Sequence, residues 1–436
     1  MRMFKGKHKG FVWVILALFM LLGSLGTAGI LLADNDDHRG DGDRHHGGGD
    51  DDHGGGGQNQ DGDIPPQTLP SGFESIRQLE RDARLGARGE RYSAWIVESS
   101  RFMDVPHRAF TPDVGDPATV NLPVNIGIIK SRSGEITLYD SGWKQLAYIY
   151  DWNSGCCWHG VKDQMLKIGL NPDHVVRIVV GHGHWDHAGQ LSDFPHATLY
   201  IQKEELRQID FFLDYPTKYN GGHIRAVNTV DPLTGKQVGP PEQACARTPV
   251  CGYPPQTISE IMGKVLHGKA RIVDGRHEIE PGMIIHPAFR GHTYGSQLLQ
   301  VNTAKGQLVF GSDTYSSFDG IKKWYAANVQ QTDTIQQFLA YEKCYALTAR
   351  GGSFNNCLAA HEQLAFSKDY PITQHWWTIP EGNCSRAAEL TLAPGEKSLV
   401  KTGNVVVNGK TIAAQYPSKD CRANVFVQPS GYPIEP

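Results

Sequence analysis

The chain has no G-x-S-x-G segment, no C-x-x-C pair, no repeat of fixed period and no surplus of basic residues. Without the first, there is no elbow of the kind that presents a catalytic serine. Without the second, the eight cysteines lack the spacing of a thioredoxin-like redox pair or a zinc ribbon. Lys and Arg number 42 against 46 Asp and Glu, a formal net charge of -4, so the electrostatic footprint of a nucleic-acid partner is missing.

Apolar residues are nearly absent from residues 34–69, where "DNDDHRGDGDRHHGGGDDDHGGGG" gives way to a Pro-containing stretch. Such a segment cannot bury enough surface to offset the entropy of ordering and reads as a flexible linker. Its histidines and aspartates could collect metal loosely, but no scaffold fixes their geometry. Before it, a basic "MRMFKGKHKG" precedes the apolar "FVWVILALFMLL" and the small-residue stretch "GSLGTAGILLA". Two readings of residues 1–33 fit: a secretory signal with a small-x-small cleavage site at Gly26 and Ala28, or an uncleaved membrane anchor over residues 11–33. Both export the remainder to a periplasmic or secreted location, with membrane contact only through this segment. An even number of cysteines suits an oxidising compartment. Nearness in sequence suggests Cys245 with Cys251, Cys344 with Cys357 and Cys384 with Cys421, leaving adjacent Cys156 and Cys157, although eight cysteines allow about 105 pairings.

From about residue 70 the pattern becomes globular. "VNIGIIKSRSGEITLYDSG" reads as two strands around the turn "SRSG", and "VKDQMLKIGL" has helical spacing of Val161, Met165 and Ile168. "HVVRIVV" reads as a buried strand, and "ATLYIQ" as another leading into the helical "KEELRQIDFFL". Residues 214–260, rich in Pro and Gly, read as a loop-rich insertion. "MIIHPAF" and the hairpin "QLLQVNTAKGQLVFGSD" follow, then a helix over 331–349. The Asn-Gly in "NVVVNGKTIAAQ" marks a tight hairpin, so residues 381–436 read as a β-rich extension to a domain over 70–380. Strand pairs alternating with α/β units predict an αββα sandwich, two β-sheets packed together with helices outside.

The densest chemistry is "VVGHGHWDHAGQ", residues 179–190, where His182, His184, Asp186 and His187 spell H-x-H-x-D-H directly after a buried strand. His182 and His184 can face one ion; Asp186 and His187, further round the turn, can face a second. Imidazole and carboxylate are ligands that zinc accepts, as do iron, manganese and cobalt.

This motif resembles that of the metallo-β-lactamase superfamily, and other pieces follow in the family's order. Asp140 closes an early strand in "TLYDSG", His292 stands in "RGHTYGSQ", Asp313 in "LVFGSDT" and His361 in "LAAHEQ". The resemblance covers roughly residues 90–365. It implies a centre of two divalent ions, most simply Zn²⁺, with His182, His184 and His292 on one ion and Asp186, His187 and His361 on the other. Asp313 would bridge them, and Asp140 would hold a ligand or the bridging water in place. The chemistry implied is attack of a metal-bridging hydroxide on a small-molecule lactone or carboxylic ester, with Asp186, Asp140 and Tyr315 assigned to catalysis. His184 stands where flavin-linked di-iron members carry a glutamate, which argues against redox chemistry. The presence of Asp313 argues against penicillin hydrolysis, and the nuclease branch's basic surfaces are missing.

Within the family the motifs look most like those of N-acyl homoserine lactonases, in which a tyrosine shortly after the bridging aspartate binds the substrate carbonyl. Tyr315 is the counterpart here, one position earlier than usual, and strand-like alternation could turn it away. Trp185 and Tyr294 are candidates to line the apolar part of a pocket. Aryl ester or organophosphate triester hydrolysis on the same residues is the second reading, and a non-catalytic exported zinc-binding protein is the third.

Overall fold

The structure, a computed structural model, describes residues 74–106, 119–143, 160–214, 252–253, 255–326, 332–348, 353–366, 372–378, 386–401, 404–407 and 410–413. The N-terminal segment, the linker, and Cys156, Cys157, Cys245, Cys251, Cys384 and Cys421 lie outside those residues. Among the described residues no helix is long and apolar enough to cross a membrane.

Helix α1 (Ile76–Gly86) begins at a capping box in which Ser75 and Gln78 satisfy each other's backbone N–H. Strands β1 (Ser93–Pro106), β2 (Thr119–Lys130) and β3 (Ile136–Tyr139) form an antiparallel run, the last two joined by the expected turn, where Ser131 N–H donates to Glu135 O at 2.9 Å. Helix α2 (Val161–Lys167) leads to β4 (Val175–Val179), short α3 (Trp185–Ala188), β5 (Thr198–Gln202) and α4 (Lys203–Asp214). Next come α5 (Pro255–Leu266), β6 (Ala270–Val273), β7 (His277–Glu280), β8 (Met283–Pro287), β9 (Gln297–Thr303) and β10 (Gly306–Phe310). The remainder is α6 (Phe318–Lys323), α7 (Thr334–Thr348), β11 (Cys357–Leu358), β12 (His375–Thr378), β13 (Arg386–Thr391), β14 (Val400–Lys401), β15 (Asn404–Val407) and β16 (Lys410–Ala413).

Eight strands make one mixed sheet in the order β12-β13-β1-β2-β3-β4-β5-β6, and five make a second in the order β11-β10-β9-β8-β7. Side-chain alternation builds the layers. Trp95 and Val97 of β1 turn outward to Val161 and Met165 of α2 and, further along that face, to Ile261 of α5. Their neighbours Ala94 and Ile96 turn inward, into a core shared with Ile285, Leu299, Val301 and Phe310 of the second sheet. On the far face, Leu298 and Val309 pack under Leu79 of α1 and Ala340, Tyr341 and Leu347 of α7. The result is the expected helix–sheet–sheet–helix sandwich.

Two boundaries differ from expectation. The insertion does not stay irregular to residue 260, because Pro255 opens α5, a position where a missing N–H costs a helix nothing. The domain does not end near 380 either. Strand β13 is an interior strand, pairing Ala387 with Val97 and with Trp377. The sequence reading missed this because "RAAELT" is too short and too rich in alanine to signal a buried strand. Strands β15 and β16 pair antiparallel within a separate three-stranded sheet, while the Asn408–Gly409 turn expected between them lies outside the described residues.

Strand β13 also carries a buried charge. Arg386 donates from Nε to Glu98 Oε2 at 2.6 Å and from Nη2 to Oε1 at 3.1 Å, while Arg101 donates to the same carboxylate at 2.5 and 2.9 Å. Burial opposes ionisation of Glu98, yet the two guanidiniums outweigh it and hold the carboxyl below its ordinary range. Replacing Arg386 with Ala should destabilise the domain by about 3 kcal/mol, the low end for breaking a buried pair because Arg101 remains. Glu98 is depressed in the folded state, so its contribution is present above the unfolded carboxylate value and is lost as pH falls through the folded value. The gap between wild type and Arg386→Ala in urea-unfolding midpoints should therefore narrow in acid. A variant with an unchanged midpoint at neutral pH would make β13 dispensable.

Candidate metal centre

Strand ends of the inner layers converge on one place. β4 stops at Val179, and Gly181 N–H donates to Asp140 Oδ1 at 2.7 Å, tying the H-x-H loop to the end of β3. Gln297 N–H donates to Gly181 O at 2.9 Å, linking the same loop to the second sheet. His184 is the N-cap of α3, with Ala188 N–H donating to its carbonyl, so one helical turn separates His184 from His187. Asp313 sits in a 3₁₀ turn (Ser312–Tyr315) at the end of β10, and His361 follows β11, held to β2 by Asn125 N–H donating to Ala360 O at 2.9 Å.

The structure brings all seven predicted ligands together and buries every one. They fall into two groups whose ligand atoms lie within 4.8 Å of one another: His182, His184, His292 and Asp313, and Asp186, His187, Asp313 and His361. Asp313 belongs to both. Its Oδ1 lies 2.9 Å from His361 Nε2 and 3.2 Å from His187 Nε2, while Oδ2 lies 3.5 Å from His292 Nε2. Asp186 Oδ2 lies 3.2 Å from His187 Nε2 and 3.7 Å from His361 Nε2.

Neighbouring acceptors fix which nitrogen each ring turns inward. Asp140 Oδ2 accepts from His187 Nδ1 at 2.9 Å, and Pro123 O accepts from His361 Nδ1 at 2.7 Å. Ser312 donates to Asp140 Oδ2 at 2.9 Å, which leaves its oxygen to accept from His182 Nδ1 at 3.2 Å. The Nε2 atoms of His182, His187 and His361 therefore face the centre. Asp140 is thus in direct contact with His187, and Ser312 joins it as a residue the sequence reading passed over. Both take left-handed backbone conformations, with φ of 66° and 49°, which a non-glycine residue adopts at a cost. The only signal for Ser312 was its place beside Asp313 in "GSDT".

On three of the imidazoles burial outweighs the pull of the Asp313 carboxylate. It pushes His182 well below its ordinary value and His184 and His292 down to about 3. Burial acts on His187 too, but Asp186, Asp313 and Asp140 outweigh it and hold that ring well above the usual range. Burial would raise Asp313, and His361 and His187 reverse that and hold it well below. His182 Nε2 has no hydrogen-bond partner among the described residues, and neither His187 Nε2 nor Asp313 Oδ1 finds one of proper geometry. Buried lone pairs left aimed at one point, beside concentrated carboxylate charge, are what a divalent cation satisfies. The donor set fits.

Tyr315 is a correction. It is fully buried and donates its hydroxyl to Val309 O at 3.1 Å, with its ring under Gly311 and its edge toward Tyr341 in the core beneath α7. The 3₁₀ turn after Asp313 rotates it away from the ligands, a turn that strand-like alternation cannot anticipate. Trp185 is also buried, its ring tilted against that of Trp143 with centroids 4.4 Å apart and meeting Phe102 edge-on at 5.7 Å. Phe102 in turn meets the His361 ring at 5.6 Å, so this aromatic cluster walls the Asp186–His187–His361 side. Tyr294 is half-buried beneath Arg290. Replacing Tyr315 with Phe should leave metal content and turnover within about twofold of wild type and cost ~1 kcal/mol of stability, the net worth of one buried hydrogen bond. Loss of activity with an unchanged unfolding midpoint would return Tyr315 to the site.

Comparison with known proteins agrees with this geometry. Residues 119–317 match the family model described as the Metallo-beta-lactamase superfamily. No curated protein matches the chain in sequence. Among solved structures it is similar to an N-acyl homoserine lactone hydrolase with its product N-hexanoyl-L-homoserine bound at the catalytic metal centre (14% identity, TM-score 0.42, 63% of this chain and 94% of that one). Others are a probable metal-dependent hydrolase from Staphylococcus aureus (12%, 0.44, 63% and 91%) and a hydrolase of the β-lactamase superfamily (17%, 0.42, 62% and 87%). At such scores these likenesses decide nothing, and the kinship rests on the family model and on the two sheets. The matched span holds every predicted ligand except His361, which the fold itself brings into place. Residues 119–317, the heart of the sandwich and of its ligand clusters, are a metallo-β-lactamase superfamily domain.

Proposed function

We propose that the chain is an exported, dinuclear metal hydrolase that opens a lactone or cleaves a carboxylic ester. The observation that carries this reading is the shared position of Asp313, whose two oxygens face different sets of imidazoles. His182, His184 and His292 would hold one divalent cation, Asp186, His187 and His361 the other, with Asp313 common to both. Bound there, a pair of cations such as Zn²⁺ supplies Lewis acidity for a substrate carbonyl and an acidified water as the nucleophile. No protein nucleophile is then required, in keeping with the missing serine elbow.

The chain's own residues supply orientation and dryness. Asp140 and the Pro123 carbonyl each accept the Nδ1 proton of a histidine, keeping the opposite nitrogen aimed at the centre. His361 and His187 hold the Asp313 carboxyl well below its ordinary range, so it stays a carboxylate, the form that binds a cation. Trp143, Trp185 and Phe102 form an apolar wall beside it, suited to an acyl or aryl group. Burial of Tyr315 takes away the tyrosine expected to hydrogen-bond the substrate carbonyl. Support for export comes from the basic-then-apolar N-terminus, the even cysteine count, and Cys344 and Cys357, whose Cα atoms lie 6.1 Å apart, within disulfide reach.

Metal analysis of the purified chain should find two equivalents. Turnover on a panel of lactones, 4-nitrophenyl esters and phosphotriesters should disappear with chelation and return with added zinc. Replacing Asp186 with Asn should depress lactone and aryl-ester turnover together, by more than the ~10–100-fold that supporting residues carry. Preference for phosphotriesters by orders of magnitude would replace the lactone reading. Fewer than two equivalents, or no turnover on any member of the panel, would remove it.

A further inference from the structure

The first turn of helix α4 holds two consecutive glutamates with opposite fates. Glu204 is partly exposed and pairs with Arg207, whereas Glu205 is completely buried. All four contacts of the Glu205 carboxylate are with donors. Oε1 accepts from Gly183 N–H and from the Tyr253 hydroxyl, both at 2.5 Å. Oε2 accepts from the Thr293 hydroxyl at 2.7 Å and from Gly295 N–H at 2.9 Å. Gly183 lies between His182 and His184, and Thr293 follows His292. One carboxylate therefore ties together both loops that carry the histidines of the first ligand group, and it touches nothing in the second.

Tyr253 completes the brace from the end of the insertion. Its ring meets the His184 ring edge-on at 4.8 Å, and the carbonyl of its neighbour Gly252 accepts from Trp185 N–H at 2.8 Å. Gly252 has φ of 97°, and a Cβ there would lie 2.3 Å from His184 Cδ2. Only glycine allows the segment to lie this close to the ligand ring. The segment is thus a backstop against which His184 is pressed.

We propose that Glu205 and Tyr253 are positioning residues that set the affinity of the His182–His184–His292 group for its cation, independently of the second group. The proposal rests on the two-metal reading above. A carboxylate that accepts four hydrogen bonds cannot be replaced by an amide of the same shape, because the amide nitrogen would face two of the four donors. Losing the support of a ligand typically weakens metal binding by 10–100-fold.

The test uses the full chain loaded with Zn²⁺ or Co²⁺ and equilibrated against graded chelator, counting equivalents retained and following the Co²⁺ absorption bands. Glu205→Gln should weaken one of the two cations by ~10–100-fold and leave the other at wild-type affinity. Tyr253→Phe, which keeps the ring and loses one hydrogen bond, should shift the same cation by a smaller factor, and it carries the test if Glu205→Gln fails to fold. Normal loading of wild type, with both variants unaltered or both cations weakened equally, overturns this proposal alone. Fewer than two equivalents in wild type overturns the two-metal reading and this one with it.

Discussion

One carboxylate is asked to serve two sets of imidazoles, and the rest of the centre is arranged to let it. Asp313 can face His292 with one oxygen and His187 and His361 with the other only if β10 ends where it does. The chain must also turn at once through a left-handed Ser312. That turn costs backbone strain, and the Ser312 hydroxyl offsets it by donating to Asp140 and accepting from His182. The same turn throws Tyr315 into the core. The geometry that makes the shared carboxylate possible thus denies the next aromatic residue a place at the centre.

Burying five histidines and several carboxylates in one spot would be costly if each stood alone. The sandwich limits the cost by giving three of the rings an acceptor on the outer side. These are a carboxylate for His187, a backbone carbonyl for His361 and a hydroxyl for His182. The acceptors come from β2, the end of β3 and the end of β10, so both sheets must be in register before the inner nitrogens converge. Rigid strands thereby supply the precision that loops could not.

Much of this was legible because it is local or repetitive. Alternation along "VNIGIIK" and "QLLQVNT" marked the strands, and H-x-H-x-D-H marked the centre because imidazole and carboxylate are seldom crowded after a buried strand without a use. The order of Asp140, His292, Asp313 and His361 then resembled a known pattern, and the fold brought them together. What escaped the reading depends on backbone rotation or on partners distant in sequence. Nothing in "KEEL" distinguishes the solvated Glu204 from the buried Glu205, whose donors lie 22, 48, 88 and 90 positions away. Tyr315 failed for a rotational reason and β13 for lack of a hydrophobic signal.

The placement of β13 has a bearing on how the molecule is made. Strand β1 pairs on one side with β2, nearby in the chain, and on the other with β13, where Ala94 meets Thr391. Until the late strand is synthesised and docks, the middle of the large sheet is a bare edge with free amides and carbonyls, open to any extended segment that passes. Closure across so long a loop is slow compared with local pairing. A growing or truncated chain is therefore open to misassociation at a strand that in the finished molecule is paired on both sides.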